Sequence, residues 1–253
     1  MELPPTWHRP DPLRGLAKAP WTGLDRGAGV DDLLRRAASG DLDACSALDA
    51  RLLEDDTVSE ASAWAAPFLA EVGASYKVPG ASRDRVIFLL ARLALASAGF
   101  TAGGRRTRRR WNPLGRELPR LAPDWITQTR YAVAKAAPGV FEALAGAEVA
   151  CSMALAIAVP EVVPAHIVDV AHGIAFGGTC PPLLGEAAAV VLHLTRGADT
   201  DAARVRATAR AHPEVLRELE EGAFPPYQPA EVTLQLIGSR FAFLAAYGEP
   251  DGD

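Results

Sequence analysis

The stretch from Asp56 to Ala98 constrains this chain more than any other, because its second half is apolar on nearly every side. Val86, Ile87, Phe88, Leu89, Leu90, Leu93 and Leu95 crowd into one predicted helix over 82–98. A helix of that kind must be covered on more than one face. The segment before it predicts an antiparallel partner. Thr57 followed three residues later by Glu60 fits a capping box. After it, Ala61, Trp64, Ala65, Phe68 and Val72 recur at helical spacing and form one apolar stripe that places Trp64 and Phe68 in the core. Pro67 interrupts that helix and is expected to bend it. Val78-Pro79-Gly80 reverses the chain, and Ser82 is the expected N-cap of the apolar helix. One such pair cannot bury itself and needs neighbours on both sides, as stacked repeat units do.

The same wording returns downstream. Ala65-Ala66-Pro67 is followed by Glu71, and Ala136-Ala137-Pro138 by Glu142 at the same distance. Each proline-bearing helix precedes a second apolar helix, 82–98 in one case and 147–158 in the other. Repetition of two-helix units points to an all-α solenoid.

The run DTVSEASAWAAPFLAEV, with VDDLLRRAASGDLDACSALDARLLED before it, resembles the bacterial HEAT-like repeat proteins common in actinomycetes. YAVAKAAPGVFEALAGAEVACSMALAIAVPE resembles a further repeat. The resemblance covers roughly residues 20–160. It implies a right-handed α-α superhelix of HEAT-like helix pairs within the ARM/HEAT superfamily. It carries no catalytic motif, since the shared positions are packing positions, and such scaffolds serve many functions.

The chain divides into an arm rich in proline and tryptophan over 1–26, one solenoid domain over 27–248, and a short acidic tail over 249–253. In the arm, Trp7 and Trp21 are expected to plug an end of the stack, a partner-binding arm being the alternative. Val30, Leu33, Leu34 and Ala37 face inward on a short helix over 29–39 that Gly40 ends. Asp41 caps the next helix, whose stripe is Leu42, Cys45, Leu48, Leu52 and Leu53. Residues 126–145 form a long helix bent at Pro138-Gly139. Further helices follow over 160–176 and 183–195, then polar ones over 199–211 and 213–221. The apolar segment 229–247 is expected to seal the far end.

Residues 99–123 form an inserted loop, GFTAGGRRTRRRWNPLGRELPRLAP, whose glycines and prolines exclude a continuous helix. Seven arginines and one glutamate fall within 101–120, whereas the whole chain has a net charge of −5. The protein is therefore an acidic body with one basic loop. Arg105, Arg106, Arg108, Arg109 and Arg110, followed by Trp111, are the candidate binding residues. Guanidinium forks grip carboxylates and phosphates, and an indole stacks on bases or arginines. The competing reading pairs this loop with the protein's own acidic surface at Glu214, Glu218, Glu220 and Glu221.

Catalytic signatures are sparse. No phosphate loop, dinucleotide fingerprint, HExxH, CxxC or nucleophile elbow occurs, so no cofactor is expected. The absence of His-Glu dipeptides argues against the di-iron chemistry of HEAT-repeat hydroxylases. His166, Asp169 and His172, with His193, are weak metal candidates, because the first two histidines lie about 120° apart around a helix. HEAT-like alkylpurine DNA glycosylases offer a second enzyme analogy through Asp124-Trp125 and the arginine loop. The net acidity is unsuited to their phosphate contacts.

The N-terminus shows no signal-peptide pattern, and no apolar run approaches the roughly 20 residues of a membrane span. Cys45, Cys151 and Cys180 are odd in number and widely spaced, as expected of reduced thiols in the cytoplasm. The abundance of alanine and arginine suggests a GC-rich bacterial genome. The function expected from all of this is a non-catalytic adaptor, of the immunity or regulatory-scaffold kind. Its concave face or arginine loop would contact a protein, with nucleic acid as an alternative partner of the loop and no membrane involved.

Overall fold

The computed structural model of the chain describes residues 11–54, 57–97, 125–144, 149–176 and 182–196. Eight α-helices lie among them: α1 Val30–Ala38, α2 Leu42–Leu52, α3 Glu60–Ala74, α4 Gly80–Ser97, α5 Trp125–Leu144, α6 Val149–Ala158, α7 Ala165–Phe176 and α8 Pro182–Arg196. Two-residue strands, β1 Leu53–Glu54 and β2 Thr57–Val58, form a minimal antiparallel pair between α2 and α3. The expected segments 1–10, 99–123, 199–221 and 229–247 lie outside the described residues, as does Asp124.

The junction of α1 and α2 is built as the sequence demands. Gly40 has φ 101°, its N–H donates to Ala37 O, and the Asp41 N–H donates to Arg36 O. That pair of bonds is a Schellman motif, which satisfies the last carbonyls of α1. Asp41 then caps α2, its carboxylate accepting from the Ala44 N–H at 3.0 Å and from Arg36 Nε at 2.8 Å. These bonds, the backbone one foremost, hold the Asp41 carboxyl below its ordinary value. A Cβ on Gly40 would also lie 2.8 Å from Pro79 Cγ. Gly40→Ala is therefore expected to lower stability by about 1–3 kcal/mol, from backbone strain and overlap together. Urea unfolding checks this, and an unchanged midpoint would place Pro79 elsewhere.

Two predicted caps are corrected. The N-cap of α3 is Ser59, not Thr57. Thr57 is drawn into β2, where its carbonyl accepts from Arg26. The Ser62 hydroxyl takes the role assigned to Glu60: it accepts from the Ser59 N–H at 3.0 Å and donates to Leu52 O at 2.8 Å. Asp25 O accepts from the Ala61 N–H, so the start of α3 is satisfied both by its own cap and by the turn before α1. Ser82 is not the N-cap of α4, which begins at Gly80. It is fully buried, and its hydroxyl donates to Ala37 O at the end of α1.

The predicted apolar helix is enclosed. From Val86 to Leu95 every residue of α4 is buried except Arg92, which is partly so. From Cys151 to Ala158 every residue of α6 is buried. Helices pair along the chain, α1 on α2, α3 on α4 and α7 on α8. They also stack in alternation, α2 on α4 on α6 on α8, and α1 on α3 on α5. The contact between α3 and α5 is the most extensive among the described elements. The buried residues of α3 are mostly small, Ala61, Ala65, Ala66, Ala70 and Ala74 beside Leu69 and Val72, with Gly73 set against Ile87 of α4, whereas those of α5 include Val133, Val140, Phe141 and Leu144. Small residues on one helix let the bulky residues of the other approach closely.

α3 and α5 are also equivalent in the internal repeat. Aligning Pro67 with Pro138 brings Ser62, Ala66, Leu69, Ala70 and Gly73 onto Val133, Ala137, Val140, Phe141 and Leu144, all buried. The same alignment brings Trp64 onto Lys135 and proline onto proline, all exposed. Both helices run on through their prolines. Each ring lies on the solvent side, where water can satisfy the carbonyl left without an N–H.

Two stripe assignments are corrected by this packing. Trp64 is 44% exposed rather than core, and so is Leu42. Phe68 is half-buried beneath Trp21 of the arm, with ring centroids 6.0 Å apart. Trp21 itself is buried, and its indole N–H donates to Leu16 O at 2.9 Å. The arm therefore covers α3 with this indole. Trp7 lies outside the described residues.

Candidate functional site

The solvent side of the α3/α5 layer is the candidate surface. It presents Trp64 from α3 and Tyr131, 67% exposed, from α5. Tyr76, in the turn after α3, is 69% exposed. On α5 the exposed positions Thr127, Tyr131, Lys135, Pro138 and Glu142 fall on one helical face. The rings thus stand on adjoining helices whose opposite sides are locked together. Rigid aromatic side chains held in this way give large contact area at little entropic cost. By contrast, α4 from Val86 to Leu95 and α6 from Cys151 to Ala158 are almost wholly enclosed.

Sequence periodicity misplaced Trp64 for an identifiable reason. α3 is so rich in alanine that two different stripes satisfy the helical repeat, and the wider one contains the indole. Pro67 was the available signal. Trp64 lies three residues before it and shares its face, and a proline within a surface helix sits toward solvent.

The end of α5 that follows the inserted loop is firmly tied. Arg130 donates to Ala158 O at 2.7 Å and makes a two-pronged bond to Glu161 at 3.0 and 3.1 Å. It thereby satisfies a carbonyl at the end of α6 and fixes α5 against the turn before α7. The loop residues Arg105, Arg106, Arg108, Arg109, Arg110 and Trp111 lie outside the described residues, as do Glu214, Glu218, Glu220 and Glu221. Trp125, of the Asp124-Trp125 pair, opens α5 half-buried.

His166, Asp169 and His172 are exposed on α7, and His172 packs on Phe176 with centroids 4.6 Å apart. His193 sits half-buried on α8. Among the described residues no three His, Cys, Asp or Glu side chains are grouped so as to hold a metal ion. An open depression of about 460 Å3 between the turns of the arm and α1 is lined by Asp11, Leu13, Lys18 and Arg35.

Two buried thiols flank the first turns of α4. Cys45 Sγ lies 3.2 Å from Ser82 Oγ. The single hydroxyl proton of Ser82 is committed to Ala37 O, so the thiol donates. Cys151 lies within the electrostatic reach of the Asp84 carboxylate. Burial pushes both thiols above their ordinary value, and the Asp84 charge raises Cys151 further. Both shifts disfavour the thiolate, the form that reacts as a nucleophile. Both thiols are expected to resist iodoacetamide in the native protein and to react once urea unfolds it, as read by peptide mass spectrometry. Rapid native labelling of either would place it at the surface. The unfolded chain ionises these thiols first, near pH 8.5, so they make stability fall as pH climbs past that value.

No family model, curated protein or solved structure matches this chain. Among the described residues, no helix is long and apolar enough to cross a membrane.

Proposed function

We propose that this protein is a non-catalytic protein-binding adaptor built on a HEAT-like α-solenoid. The alternate stacking of helices and the burial register shared by α3 and α5 support the scaffold reading. The observation that carries the function is the pair of solvent-facing rings, Trp64 and Tyr131, on the two helices in most extensive contact. Exposed indole and phenol groups on a rigid layer are the side chains that dominate protein–protein contacts. The arginine-rich insert runs directly into α5, the helix that carries Tyr131, so a partner with an acidic rim suits both features. The free, buried Cys45 and Cys151 suit a reducing compartment such as the cytoplasm.

The test is affinity capture from host lysate, with and without nuclease, comparing wild type with two variants. One carries Trp64→Ala and Tyr131→Ala; the other replaces the five arginines from Arg105 to Arg110 by alanine. The expected result is a protein partner captured by wild type and bound about 10- to 30-fold more weakly by the ring-deleted variant. Its melting temperature should change less than that of a core variant, since Tyr131 is largely solvated and Trp64 is 44% exposed. Equal capture by all three proteins would overturn the reading. Capture of nucleic acid instead, lost from the arginine variant, would favour glycosylase-like binding.

A further inference from the structure

We draw no further inference here: the strongest candidate, the solvent-facing aromatic patch of Trp64 on α3 and Tyr131 on α5, already carries the proposed function, and nothing in the structure shows what covers it.

Discussion

Arg92→Ala is expected to destabilise the protein by about 3–5 kcal/mol, the cost typical of removing one partner from a buried ion pair. Arg92 is the one charged residue between Val86 and Leu95, and its guanidinium bonds the Asp49 carboxylate of α2. Both side chains are nearly enclosed, at 10% and 11% exposure. Alanine would remove the Arg92 cation from a nearly enclosed carboxylate, a change costlier than replacing both charges by apolar groups. The discriminating comparison is the double variant Asp49→Leu with Arg92→Met. Chemical unfolding should show it recovering most of the stability lost by Arg92→Ala. If the single and double variants lose equal stability, the cause is lost volume rather than the stranded charge.

Phe141→Ala should have an effect of the same size, about 3–5 kcal/mol, through a different mechanism. The ring is fully buried on the side of α5 that carries Val133, Val140 and Leu144. Its removal opens a cavity where helices are already close, so relaxation can fill little of it. At about 2–4 °C per kcal/mol for a chain of this size, the melting temperature should fall by roughly 6–20 °C. Trp64→Ala is the internal control: the larger side chain is removed, yet its exposure predicts a far smaller shift. Equal shifts for the two variants would mean that Trp64 is covered and that the proposed contact surface is absent.

The helices themselves were legible because their signals are local. Gly40 and Asp41 lie at the boundary the structure shows, since a left-handed residue and a capping carboxylate act within a few residues of their own position. The enclosed helix was legible from composition alone. A segment as apolar as Val86–Leu95 has no polar side to offer water, so burial all round was the available outcome. The repeat of Ala-Ala-Pro at 65–67 and 136–138 marked two helices that the structure shows to be neighbours with the same side inward.

Other features needed the tertiary structure. Thr57, Ser59 and Ser82 are all competent caps, and intrinsic preference barely separates them. Pairing with Leu53 and Glu54 takes Thr57 into a strand and leaves Ser59 to start α3. The approach of α4 to the end of α1 turns Ser82 toward Ala37 O instead of its own helix. The ion pair between Asp49 and Arg92 joins residues far apart in the chain, and no local spacing announces it.

By itself, then, the sequence determined the junction of α1 and α2 at Gly40-Asp41 and the enclosure of α4 and α6. Only the tertiary structure decided which side of α3 meets water, and with it whether Trp64 is core or contact. The reason is physical. Alanine's single methyl gains little by burial and costs little when exposed, so an alanine-rich helix has no strong preferred face of its own. Its orientation is set by its neighbours, here α5 and α4, against which the small residues of α3 are buried while the indole is left toward water.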